Sequence, residues 1–139
     1  MESDYIYELE FLVRDYELDI QGVVNNANYQ HYLEHTRHEF MRAAGVDFAG
    51  LQERGMIPVV SRIEIDYKLS LRSADRFVVR LGLRRYGRLR FLFDQDIYRL
   101  PDEALIASAV VTGVVIQGGR PVAPDEVVAA LESFAPQTL

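Results

Sequence analysis

Tyr5, Tyr7, Leu9, Phe11 and Val13 alternate with mostly polar neighbours, the two-residue period of a half-buried strand. Past Val13 the odd positions turn acidic, at Asp15, Glu17 and Asp19, while Tyr16 and Leu18 are apolar. The alternation therefore changes parity near Arg14, which predicts a bulge or bend, a device that often re-aims side chains beside active sites. From Asn28 to Ala44 the period lengthens. Tyr29, Tyr32, Leu33, Thr36, Phe40, Ala43 and Ala44 fall on one broad face at about 100° per residue. Asn25, Asn26 and Asn28 are available as caps, and Gly45 stands where a C′ glycine belongs. The spacing predicts a helix about 25 Å long, enough to fill the concave side of a small sheet.

The second half returns to strands. Val59, Ser61, Ile63, Ile65, Tyr67 and Leu69 alternate with Arg62, Glu64, Asp66 and Lys68. Phe77, Val79, Leu81 and Leu83 form the next set, and Leu89, Phe91, Phe93, Gln95 and Ile97 a third, with Tyr86-Gly87 as the turn between them. Leu105 to Gln117 is a Val-rich run that predicts a more buried strand, closed by Gly118-Gly119. Pro124 to Phe134 predicts a short terminal helix. Short connections favour antiparallel pairing. The expected architecture is α+β: a single domain over residues 1–139 with an antiparallel sheet curled around one central helix. Its sheet edges need covering, which predicts a homo-oligomer paired through an edge strand.

Composition narrows the function. The 139 residues suit one domain with a real core. A formal net charge of −6 argues against nucleic acid or an anionic membrane surface as partner. No apolar run approaches the roughly 20 residues of a membrane span. With no cysteine there is no disulfide framework, thiolate nucleophile or Cys-based zinc site, and no secretory signal is recognisable. The expected compartment is the cytoplasm. Fourteen of the fifteen basic side chains are arginine. Arg80, Arg84, Arg85, Arg88 and Arg90 crowd one stretch, either as a solvated strand face or as a landing site for the phosphates of a carrier thioester or an acidic carrier protein.

The chemistry points to the segment before the helix. Asp19 precedes a tight turn and then the helix start, where unpaired N–H groups and a partial positive charge gather. A carboxylate facing such amides suits attack on a carbonyl whose oxygen the amides hold. Asp19 is then nucleophile or general base; alternatively it is a turn aspartate that bonds the amides near Gly22. Gly22 supplies a backbone shape or a close approach. Asn26 offers its backbone N–H, or else a cap. Arg37 flanks the apolar face, either paired with a neighbour such as Glu34 or pointed into a site. Ser61 lines a pocket or fills the core. His31, Glu34 and His35 spell the inverted zinc-protease pattern, but on a polar face with a single further histidine, His38, so no metal is expected. Gly-x-Ser-x-Gly and phosphate-binding loops are absent from the sequence, and no cofactor is implied.

Asp19-Ile-Gln-Gly22-Val-Val-Asn-Asn-Ala-Asn-Tyr29 followed by Glu34-His-Thr-Arg37 resembles the signature of hotdog-fold thioesterases of the 4-hydroxybenzoyl-CoA thioesterase class. The lead-in Val13-Arg-Asp-Tyr-Glu-Leu-Asp19 is similar to that of plant acyl-acyl carrier protein thioesterases. Ser61-Arg-Ile-Glu-Ile-Asp-Tyr67, Leu71-Arg-Ser-Ala-Asp75 and Arg90-Phe-Leu-Phe-Asp94 extend the likeness over most of the chain. The resemblance implies a thioester hydrolase acting on acyl-CoA or acyl-ACP, with fatty or polyketide acyl groups, and dimers or tetramers with sites between subunits. It places the catalytic carboxylate on Asp19 and the polarising amide on or next to Asn26. Related enzymes that lack the carboxylate depend on a helix arginine, here Arg37. Substrate contacts are expected from Gly22, Val24, Asn25, Tyr29, Ser61, Arg88 and Arg90. A non-catalytic acyl-thioester binding module on the same fold is the alternative.

Overall fold

The computed structural model describes residues 5–134. Its elements run β1 (Tyr7–Leu12), α1 (Asn26–Ala43), α2 (Phe48–Glu53), β2 (Met56–Tyr67), β3 (Arg76–Tyr86), β4 (Arg90–Leu100), β5 (Leu105–Gln117), β6 (Arg120–Val122) and α3 (Asp125–Glu132). All strand pairs are antiparallel, in the order β1-β3-β4-β5-β2, with β6 beside β5. The sheet packs its concave face on α1, the hotdog arrangement that the periodicities and the resemblance imply. No helix among the described residues is long and apolar enough to cross a membrane.

Phe77, Val79 and Ile97 receive Tyr29, Tyr32 and Leu33 from the first half of α1. Phe40, further along α1, lies among Leu81, Phe93 and Val111, with Leu51 of α2 and Val127, Val128 and Leu131 of α3. Each such large apolar side chain contributes about 1.5–3 kcal/mol by leaving water. The buried face of α1 differs from the expected one at two places. Ala43 is exposed, and Arg37 is buried.

The change of parity near Arg14 is the expected bend, and β2 adds a second change of phase that the pattern does not show. β1 does not bulge at Arg14. It ends at Leu12, Val13 donates its N–H to the Asp75 carbonyl at 2.9 Å, and a 3₁₀ turn over Asp15–Glu17 redirects the chain. A bulge lies instead at Ser61, where the register of β2 against β5 slips between Val60 and Arg62. The extra residue shifts the alternation, so Val60 rather than Ser61 shares the helix side with Ile63. The short helix α2 was not legible in the sequence.

The ladder gives the sheet two ends. Leu12, Arg76, Leu100 and Tyr67 lie at one, beside the start of α1; Tyr86, Arg90, Gln117 and Met56 lie at the other. β2 has a partner on one side only and exposes Ile57, Val59, Val60 and Tyr67.

Candidate active site

Residues 18–24 form a closed loop ahead of α1. Leu18 bridges Val24, the Asp19 N–H donates to the Val23 carbonyl at 2.8 Å, and the Gly22 N–H donates to the Asp19 carbonyl at 3.0 Å. Asp19 Oδ1 accepts from the N–H groups of Gln21 at 2.8 Å and Val23 at 3.4 Å. The turn role weighed for this aspartate is therefore real. Among the described residues its Oδ2 has no hydrogen-bond partner, so one oxygen is held and the other is left over. Gly22 has φ +80°, and nothing lies within 4 Å of where its Cβ would be. The backbone shape, not close approach, requires glycine here. Val24 is buried and donates its N–H to the Leu71 carbonyl at 2.9 Å.

The first turn of α1 leaves one amide over. Asn25 is the cap: its Oδ1 accepts from the Ala27 N–H at 2.8 Å, and its carbonyl accepts from the Asn28 N–H at 2.9 Å. The Asn25 N–H donates to the Glu17 carbonyl at 3.0 Å. Among the described residues the Asn26 N–H has no acceptor. It is one of the orphan donors of a helix start, carrying the positive end of the helix dipole. Asn28 Nδ2 and the hydroxyl of Tyr32 bind the backbone and side chain of Glu17, fastening the 3₁₀ turn to the helix.

Tyr29 is buried, and its hydroxyl accepts from the Leu71 N–H at 3.0 Å. Burial pushes that hydroxyl up from its ordinary value, so it stays protonated. The ring thus packs the wall behind the loop, with its polar end already engaged.

A groove runs between α1 and β2 in two joined parts of about 380 and 330 Å³. Ala27, Gln30, His31, Glu34 and Arg37 line the first part with Val60 and Ile63. The second continues past Arg37 to Met41, Phe91 and Gly113. Arg37 is 6% exposed and bonds no carboxylate among the described residues; Nη1 donates to Gln95 Oε1 at 3.0 Å. Of the two alternatives for Arg37, the pairing with Glu34 is not made among the described residues. Burial lowers the Arg37 pKa, and the nearby Glu34 charge works against that.

The other expected residues lie elsewhere. Ser61, at the bulge, is exposed and reaches the Thr112 carbonyl at 3.5 Å; it is not part of the groove lining. Arg88 and Arg90 sit at the end of the sheet away from Asp19, exposed and without a carboxylate partner among the described residues. Their neighbours are spoken for: Arg80 binds Glu8 and Glu103, Arg84 binds Asp94, and Arg85 binds Asp125 and Glu132. His31 contacts Asn28, and His35 stands edge-on to Phe11. No group of three or more metal-binding side chains occurs among the described residues. Gln95 was missed as a site residue, although a lone amide in the apolar phase between Phe93 and Ile97 was a usable signal.

A helix start with a spare amide, a carboxylate turn before it and a groove along the helix thus lie on one side of the sheet's concave layer. The family model of the thioesterase-like superfamily matches residues 13–131, and the chain belongs to that superfamily. It is 40% identical over 108 residues to the chloroplastic acyl-acyl carrier protein thioesterase ATL2 of Arabidopsis thaliana, covering 78% of this chain and 57% of that protein. The chain thus spans little more than half the length of this plant relative. It is 31% identical over 126 residues to the acyl-CoA thioesterase YbgC of Haemophilus influenzae, covering 86% of this chain and 91% of that one. A hypothetical protein of Aquifex aeolicus of known crystal structure superposes with a TM-score of 0.80 at 29% identity, over 90% of this chain and 98% of that one.

Proposed function

We propose that the chain is an acyl thioesterase that hydrolyses acyl-ACP or acyl-CoA with a fatty or polyketide acyl group, as a cytoplasmic enzyme. The observation that carries this reading is the unpaired Asn26 N–H beside a loop that leaves Asp19 Oδ2 unengaged. The thioester carbonyl oxygen accepts from the Asn26 N–H, which stabilises charge as it develops there. Asp19 then acts in one of two ways. As nucleophile it adds to the carbonyl carbon and the thiolate leaves, giving an acyl-aspartyl anhydride that water cleaves. As general base it takes a proton from water, the hydroxide adds, and the tetrahedral intermediate expels the thiolate, which is protonated to the thiol. Gly22, Val24, Asn25 and Tyr29 hold loop and helix start in register, and Arg37 offers donors to an oxygen of the bound acyl group.

The reading includes a second copy of the chain. The open, apolar edge of β2 suits an antiparallel homodimer, either alone or paired into a tetramer. A two-fold axis across β2 sets the Asp19 end of one sheet against the Arg88 and Arg90 end of its partner, where those arginines serve the phosphates of the carrier or an acyl carrier protein. Nucleic acid, membrane, metal and cofactor have no part in it. One observation favours the alternative of a non-catalytic acyl-thioester binding module: the bonds from Gln21 and Val23 are those of an ordinary turn aspartate. Thiol release from a panel of acyl-CoA and acyl-ACP thioesters, with Asp19→Asn alongside, separates the two. Turnover lost in the variant supports the enzyme; binding without turnover in both supports the module.

A further inference from the structure

We propose that Gln95 is the positioning residue for Arg37, clamping one edge of its guanidinium so that the other donors face the groove. This rests on the reading in which the groove receives the acyl thioester.

Gln95 has no exposed surface. Its Oε1 accepts from Arg37 Nη1 at 3.0 Å, and its Nε2 donates to the Leu33 carbonyl at 3.0 Å. The second bond fixes the amide. Turned over, it would set Nε2 against the cation and Oε1 against a carbonyl, two repulsive contacts in place of two bonds. Gln95 extends from β4, at the floor of the sheet, so the restraint comes from outside the helix that carries Arg37. A guanidinium has five N–H donors, and this bond uses one. Among the described residues no buried side-chain nitrogen lacks a partner, so the unbonded nitrogens of Arg37 are those with exposed surface. That surface opens on the groove, whose two parts both include Arg37. A neutral amide holds the cation without cancelling its charge. A carboxylate at the same place would direct the fork back into the core.

The test is a double-mutant cycle on the full chain with Arg37→Met, Gln95→Met and both together. It is read as kcat/KM on the acyl-CoA turned over best, and as affinity for a non-hydrolysable S-alkyl thioether of CoA. Gln95→Met is expected to lower kcat/KM tenfold or more, since misplacement by about 1 Å can cost 10²-fold. The double variant is expected to lie within twofold of Arg37→Met, because Gln95 acts only through that arginine. Losses that multiply would overturn the proposal and leave Gln95 a packing residue. Full activity in Gln95→Met beside a crippled Arg37→Met would overturn it while leaving the site reading intact. An Arg37→Met variant with unchanged kcat/KM and affinity would remove Arg37 from the site and the proposal with it. Should Gln95→Met fail to fold, Gln95→Glu keeps an acceptor for Arg37 but pairs its charge; unchanged kcat/KM in that variant also overturns the proposal.

Discussion

The Tyr32 hydroxyl donates to Glu17 Oε1 at 2.8 Å, joining the second turn of α1 to the 3₁₀ turn that leads into Asp19. The same oxygen accepts from the Arg14 N–H at 2.9 Å, and the Glu17 carbonyl takes Asn25 and Asn28. Burial first, then the bond to Glu17, pushes the Tyr32 hydroxyl well above its ordinary value, so it remains a donor. Tyr32→Phe should therefore cost about 1.5–3 kcal/mol, the range for a bond to a charged group, in urea unfolding. It should also lower kcat/KM, because the loop that holds Asp19 loses a strut.

Asp19→Asn separates charge from shape. An asparagine keeps an Oδ1 that accepts from Gln21 and Val23, so the loop should persist and the unfolding midpoint should barely move. Loss of the nucleophile or base should lower kcat by about 10²–10⁴. Near-wild-type thiol release from this variant would remove Asp19 from the mechanism.

Two glycines should respond for different reasons. Gly22→Ala has open space but a φ of +80°, so its expected loss of about 1–2 kcal/mol is purely conformational. Gly113→Ala would set a Cβ 2.6 Å from the buried Phe91 ring, which must move. Overpacking of this kind costs about 1–3 kcal/mol. Calorimetric melting of both variants checks the stabilities, and only Gly113→Ala should also change preference among acyl lengths, since Phe91 and Gly113 line the far part of the groove.

The β2 edge gives an assembly prediction. Ile57→Lys with Val59→Lys places two charges on exposed apolar positions of the open strand. Light scattering after size exclusion should show monomers where the parent chain forms dimers or larger species, with activity falling in parallel. An unchanged mass would move the interface elsewhere.

Much of this was legible because it rests on local rules. The 3.6-residue period found α1 to within two residues at its start, and Gly45, at φ +79°, ends it as a C′ glycine should. The β5 run from Leu105 to Gln117 was readable because its positions are nearly all apolar and, except for Gln117, buried or half-buried. The misses are non-local. Nothing in the β2 pattern reveals that Ser61 is the bulge, because the slip is defined only against β5. Arg37 reads as a helix-flank charge until Gln95, 58 residues away, supplies its acceptor. Arg88 and Arg90 look close to the site in the chain's arginine cluster, yet the ladder carries them to the opposite end of the sheet.

The groove also has a length. From Ala27 to Met41 it follows fifteen residues of α1, whose fourteen steps at 1.5 Å each give about 21 Å. Arg37 stands on its wall roughly two-thirds of the way along, the one arginine among its lining side chains, which include no lysine. α1 is thus a ruler as well as a wall. On the proposed thioesterase reading, a two-carbon group held at the helix start would occupy only the first division of it, whereas an extended acyl chain would pass a charged mark on its way to the aromatic floor at Phe91 and Phe93.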